Sequence, residues 1–123
     1  MTGGRAVVAD DDPDVRLLIE VAVRRAGCSI VASHADGSSA LADALALDPD
    51  VLVLDDAMPG MTGAEVVRAV RAARDDDRPF AVLISAGVDA LAGRAQEASA
   101  DAWVAKPFSV RELADVVAER RRS

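Results

Sequence analysis

Five polar residues close short apolar runs in this chain. Asp10 and Asp11 follow Val7-Val8-Ala9, Asp55 follows Val51-Leu52-Val53-Leu54, Ser85 follows Val82-Leu83-Ile84, and Lys106 follows Trp103-Val104-Ala105. Three carboxylates gathered in one place would repel and raise one another's pKa values, so the set calls for a divalent cation. Oxygen ligands of this kind suit Mg2+ that keeps several of its waters. Lys106 is the only lysine beside 13 arginines. A compact ammonium differs from a planar guanidinium fork, and its presence here marks a position that needs a point charge. Other candidates read as structure. Asp12 before Pro13 is an N-cap with proline at the first helical position. His34, the sole histidine, falls in Ser33-His34-Ala35-Asp36-Gly37 and reads as a loop residue at the surface, while Met58 and Met61 read as loop packing.

The elements that must position these groups follow from composition and period. At 123 residues the chain fits one domain, residues 1–123, large enough for a core without staples. Continuous apolar runs at 5–9, 29–33, 51–55, 80–85 and 102–105 read as strands covered on both faces, and they alternate with stretches of helical period. That alternation is the signature of an α/β doubly wound parallel sheet of five strands. In such a sheet ligands bind outside the carboxyl ends of the strands, which is where Asp10, Asp11, Asp55, Ser85 and Lys106 fall. The first helix should bury Val15, Leu18, Ile19, Ala22 and Val23 and expose an i,i+4 ladder of Arg16, Glu20 and Arg24. The second, over about 38–47, should pack through Leu41 and Leu45. Thr62-Gly63-Ala64-Glu65 and Ser109-Val110-Arg111-Glu112 read as capping boxes, the latter with Phe108 and Leu113 as a hydrophobic staple. Residues 89–98, with Leu91 as their one large apolar residue and Gly93 inside, form the weakest predicted helix.

Charge and composition narrow the function. A net charge of −7 and a pI near 4.6 argue against a direct nucleic-acid surface. The one basic run, Arg120-Arg121-Arg122, is expected to complement the dipole of a closing helix. No apolar run approaches the length of a membrane span or a signal segment, and the single Cys28 reads as a small core residue, so the chain is expected to be cytoplasmic with no membrane partner.

In order and spacing, Val7-Val8-Ala9-Asp10-Asp11-Asp12-Pro13, Val51-Leu52-Val53-Leu54-Asp55-Asp56-Ala57-Met58-Pro59-Gly60-Met61-Thr62-Gly63, Leu83-Ile84-Ser85-Ala86 and Ala100-Asp101-Ala102-Trp103-Val104-Ala105-Lys106-Pro107-Phe108 resemble the receiver domain of bacterial two-component response regulators, of the chemotaxis-regulator kind. The resemblance covers nearly the whole chain. It implies a flavodoxin-like (βα)5 fold with strand order 2-1-3-4-5. It implies that Asp55 is the phosphoacceptor and that Asp11, Asp55 and the Ala57 backbone carbonyl bind Mg2+, with Asp10 acting largely through a water. Lys106 and Ser85 would contact the phosphoryl oxygens, and Ser85 and Trp103 would form the switch. Transfer to a carboxylate needs charge neutralised on the equatorial oxygens, which a cation and an ammonium supply. The implied partners are a histidine kinase or phosphotransfer protein and a downstream protein target or an output domain missing from this chain, met on the face of the fourth helix, fifth strand and fifth helix. The implied state is a monomer or a weak phosphorylation-dependent dimer. The implied chemistry is confined to the protein's own phosphorylation and slow dephosphorylation, so it is not an enzyme in the ordinary sense.

Five positions depart from the resemblance. Asp56 is charged where an apolar residue is usual, and strand alternation should turn it away from Asp55. Trp103 is bulky for an inward switch pocket. Ser99 stands where glycine usually caps the preceding helix, so that end should be reshaped. Ala57 and Gly87 are small and should leave a phosphoryl group open to water. The alternative readings are a non-phosphorylated pseudo-receiver, which would usually lack an acid or the lysine, and a haloacid-dehalogenase-like phosphatase, whose nucleophile precedes its acidic pair instead of following it.

Overall fold

Five runs of β-branched and aliphatic residues become five parallel strands in a computed structural model that describes residues 4–74, 78–86 and 98–122. They are β1 (Arg5–Ala9), β2 (Ser29–His34), β3 (Val51–Asp55), β4 (Phe80–Ser85) and β5 (Ala102–Ala105). Their order across the sheet is β2-β1-β3-β4-β5, as expected. Four described helices, α1 (Pro13–Arg25), α2 (Gly37–Leu47), α3 (Gly63–Ala73) and α4 (Val110–Ala118), cover its two faces, and a 3-10 turn over Glu119–Arg122 follows α4.

Alternation along the strands sorts the core into two layers. Val7, Ala9, Leu52, Leu54 and Leu83 pack with Val66, Val67 and Val70 of α3 and with Ala40 and Ala44 of α2. Ala6, Val8, Val51, Val53, Val82, Ile84 and Val104 pack with Ile19, Ala22 and Val23 of α1 and with Leu113, Ala114 and Val117 of α4. Every residue of β3 is buried, so its last residue, Asp55, is delivered to the rim with no freedom to slide.

Helix starts follow their caps. Asp12 accepts N–H bonds from Asp14 and Val15, with Pro13 opening α1. Thr62 and Glu65 complete a capping box on α3, whereas on α4 the Ser109 hydroxyl accepts the Glu112 N–H at 3.0 Å. The cap of α2 is Asp36, which sets its first residue at Gly37, one before the expected start, and β2 runs one residue past its expected end to include His34. Phe108 packs against the α1/α4 layer to which Leu113 belongs, and Arg120 donates to the Val117 carbonyl at the end of α4.

Two helix faces differ from expectation. Leu18 is 43% exposed and Leu45 46% exposed. On α1 the covered stripe is Ile19, Ala22 and Val23 with Val15 at its margin, too narrow to take position 18. On α2 the alanines at 40 and 44 face the sheet and let the helix lie close, Leu41 packs at the margin, and Leu45 turns outward. The ladder on α1 is half made, with Arg24 3.8 Å from Glu20, while Arg16 turns to the Asp10 carbonyl at 2.9 Å. Ser99 has a left-handed backbone at φ 64, a strained conformation for a residue with a Cβ. Gly87 and most of the weak helix expected at 89–98 lie outside the described residues. Cys28 is buried and unbridged.

Candidate functional site

The end of β1 supplies a rigid acidic corner. The Asp10 N–H donates to the His34 carbonyl at 3.1 Å, and Asp10 Oδ1 accepts the Asp12 N–H at 2.9 Å. Together with the Arg16 bond to its carbonyl, this fixes Asp10 in a fully buried position. The second carboxylate oxygen, Oδ2, has no aligned hydrogen-bond donor. A buried carboxylate oxygen left so is costly unless positive charge stands near it. Asp11 is exposed beside it.

Register brings the other strand ends to this corner. Asp55 pairs with Ile84 across β3 and β4, and Ser85 pairs with Ala105 across β4 and β5, which steps Lys106 out over the rim. The Lys106 N–H donates to the Ser85 carbonyl at 2.9 Å, and the Lys106–Pro107 peptide is cis. The Lys106 Nζ lies 3.3 Å from Asp10 Oδ2 and 3.3 Å from Asp55 Oδ1. The contact with Asp10 is one of charge, off the line of a good hydrogen bond. Ser85 is buried at 7% exposure.

Electrostatics follows from this packing. Burial first, and then the Asp10 charge, push the Asp55 carboxyl above the ordinary carboxylate value against the pull of Lys106 and of the Ala57 N–H. Burial draws the Lys106 ammonium down, but the Asp55 and Asp10 carboxylates outweigh it and hold Lys106 above its ordinary value. One ammonium thus faces two buried carboxylates, with Asp11 adding a third negative charge. Oxygens of Asp10, Asp11 and Asp55 all lie within 4.8 Å of one another. That donor set, together with the undonated Asp10 Oδ2, fits a hard divalent cation such as Mg2+. The expected gathering of Asp10, Asp11, Asp55 and Lys106 is therefore present, with Ser85 on the adjacent strand end.

Several residues do more than the sequence revealed. Asp56 is 5% exposed, and its Oδ1 accepts the Ala64 N–H of α3 at 3.0 Å. It points away from Asp55 as alternation requires, and its charge meets a helix N-terminus. Exposed Ala57 leads into the β3–α3 loop, whose Met58 is buried and whose Met61 packs on the core. That loop lies close to both neighbouring helices. A Cβ on Gly37 would collide with the Met61 carbonyl, and one on Gly63 would stand 2.6 Å from the Asp55 carbonyl oxygen. His34 is half-buried with Nε2 2.6 Å from Asp43 Oδ2, a tie between β2 and α2 instead of a plain surface position. Arg71 bonds the Pro79 and Ser99 carbonyls at 2.8 and 3.1 Å and Asp101 Oδ2 at 2.9 Å, pinning α3 to the opposite end of the sheet. Trp103 is 42% exposed on β5.

Comparison with known proteins agrees with this fold. The family model described as the response regulator receiver domain matches residues 6–118. The transcriptional regulatory protein PrrA of Mycobacterium tuberculosis is 43% identical over 115 residues, which cover 92% of this chain and 48% of PrrA. The DNA-binding response regulator MtrA of Mycolicibacterium smegmatis is 38% identical over 120 residues, 96% of this chain and 50% of MtrA. The chain spans about half the length of these curated relatives. Among solved structures, the signal receiver domain of NarL from Mycobacterium tuberculosis superposes with a TM-score of 0.88 at 32% identity, covering 100% of this chain and 99% of that one. The chemotaxis response regulator CheY4 of Vibrio cholerae gives 0.86 at 27% identity, with 97% and 99% covered.

Proposed function

The chain belongs to the response regulator receiver domains of two-component signalling, and from that premise we propose that it accepts a phosphoryl group on Asp55 from a histidine kinase or phosphotransfer protein. The observation that carries the reading is the bridging ammonium: Lys106 Nζ stands 3.3 Å from both Asp10 and Asp55, over a carboxylate that β3 holds immobile. An oxygen of Asp55 attacks phosphorus in line as the bond to the donor imidazole nitrogen breaks, and the imidazole leaves with the bonding pair. Lys106 then exchanges part of its contact with Asp55 for a phosphoryl oxygen, and the Ser85 hydroxyl donates to another. Asp10, Asp11, Asp55 and the Ala57 carbonyl would hold Mg2+, which supplies charge neutralisation on the transferring oxygens. Catalysis here is mostly positioning, because all of these groups are set by strand ends and their buried hydrogen bonds.

A phosphoryl group on Asp55 carries nearly two negative charges beside Ser85 where the carboxylate carried one. The Ser85 hydroxyl turns toward it, and the change passes to the β5 rim at Trp103, the surface offered to a downstream protein or to an output domain in the same polypeptide. PrrA and MtrA are named as transcriptional and DNA-binding regulators, which favours such an output. Among the described residues no helix is long and apolar enough to cross a membrane; we place the receiver in the cytoplasm, where such phosphodonors act, as a monomer or weak phosphorylation-dependent dimer. Acetyl phosphate with Mg2+ tests the assignment. Intact mass should rise by one phosphoryl group in wild type and stay unchanged in Asp55→Asn. A gain in Asp55→Asn would refute the acceptor.

A further inference from the structure

The proposed chemistry leaves one buried carboxylate unused, that of Asp56, immediately after the acceptor. Residues 52 and 54 face the α2/α3 layer and 51 and 53 the α1/α4 layer, so Asp56 continues the former series beneath α3. There its Oδ1 accepts the Ala64 N–H at 3.0 Å, its carbonyl accepts the Gly63 N–H at 3.0 Å, and its own N–H donates to the Ile84 carbonyl at 2.8 Å. The first amides of α3 are thus divided between two residues, Asp56 taking Gly63 and Ala64 while Thr62 takes Glu65. These bonds close residues 57–62 into a loop whose two ends meet at Asp56. The first residue of that loop, Ala57, follows Asp56 directly and is exposed at the mouth, two residues from the acceptor. Met58 and Met61 anchor the loop's far side in the core.

We infer that Asp56 is a positioning residue, whose side-chain bond to the Ala64 N–H holds the loop so that Ala57 is presented to the Asp55 site. The inference rests on the phosphoacceptor reading and deepens it. Ala64 is nearly buried, so its amide cannot turn to water when the bond is lost. The helix start and the loop neck must then move to satisfy it, and Ala57 moves with them. The acceptor oxygen matters here, and the charge is secondary. An asparagine can supply the same oxygen at the same reach, whereas alanine supplies nothing.

The test compares wild type, Asp56→Asn and Asp56→Ala by the thermal midpoint as a function of Mg2+ concentration, together with the initial rate of acetyl phosphate labelling. Asp56→Asn should bind Mg2+ within about twofold of wild type, and Asp56→Ala about tenfold or more weaker, the usual cost of losing a group that orients a metal ligand. Labelling rates should follow the same order at saturating Mg2+. Where Asp56→Ala does not fold, Asp56→Leu, which refills the volume without an acceptor, takes its place with the same expectation. Unchanged Mg2+ affinity in the variant without an acceptor, beside a responding wild type, would overturn the positioning role. So would an asparagine variant as weak as the alanine one, since that result assigns the effect to charge. A wild type with no Mg2+ response at all would overturn the phosphoacceptor reading and this inference with it.

Discussion

Replacing Lys106 by methionine asks whether one ammonium is what lets two buried carboxylates share the end of the sheet. The Nζ is 3.3 Å from an oxygen of each, and at an effective dielectric of 20 each contact is worth about 5 kcal/mol before desolvation. Desolvation removes much of this. Asp10 is fully buried and the lysine side chain is 25% exposed, so losing the cation should cost the metal-free protein about 3 kcal/mol, at the low end for breaking a buried pair. Most of that cost belongs to the stranded acids, so it must depend on them. In an Asp10→Asn background the same lysine substitution should cost only about 1 kcal/mol, because one carboxylate remains instead of two. Urea unfolding in EDTA, followed by far-ultraviolet circular dichroism in all four proteins, measures both numbers, provided the m-values agree. Millimolar Mg2+ should return part of the stability of Lys106→Met by supplying the missing positive charge. A Lys106→Met protein within about 0.5 kcal/mol of wild type, or a cost equal in both backgrounds, would mean that the ammonium does not neutralise the pair.

Gly63→Ala should keep the fold and damage the site, since its Cβ would stand 2.6 Å from the Asp55 carbonyl oxygen and 3.0 Å from Leu83 Cδ2. We expect a stability loss of about 1–3 kcal/mol and a labelling rate down at least tenfold, because displacing the acceptor by about 1 Å is enough for that; thermal unfolding and acetyl phosphate kinetics check it, and wild-type kinetics would contradict it. The pH dependence is a second check. Asp55 is raised above its ordinary value of 3.8, so the folded state holds that proton more tightly, and metal-free stability should fall as pH rises from there through the raised value. Glu65 acts in the opposite sense, being lowered from 4.5, so its contribution is lost only as pH drops below that. Asp55→Asn should abolish the fall on the neutral side; identical pH profiles for wild type and Asp55→Asn in EDTA would count against the buried acceptor.

The strands were readable because each is a continuous apolar run, and β1, β3, β4 and β5 occupy the expected residues. The site was readable for the same reason: a polar residue ending a buried strand has one place to go. Local signals also sufficed at Asp12 and Thr62, whose caps depend on neighbours three residues away. What escaped depends on distant partners. Nothing in the sequence marks Arg71, which reaches residues 8, 28 and 30 positions on. Alternation gave the direction of Asp56 but not the helix N-terminus that meets it. Ser99 keeps its left-handed backbone at a cost of about 1 kcal/mol, with its carbonyl held by Arg71. The exposure of Leu18 and Leu45 reflects how wide a stripe the sheet covers, which helical period alone does not fix.

The same burial that organises the site leaves the protein without ordinary chemical handles. Its one lysine side chain faces Asp10 and Asp55, so coupling through side-chain amines, elsewhere spread harmlessly over a surface, would here have a single address and would neutralise the charge on which the site depends. Its one cysteine is 5% exposed in the α1/α4 layer, and a maleimide that reached it would do so by opening the core. Probes, tethers and surface attachments therefore belong on introduced residues, for which Leu45, exposed near the end of α2 that leads to the start of β3, is a suitable position.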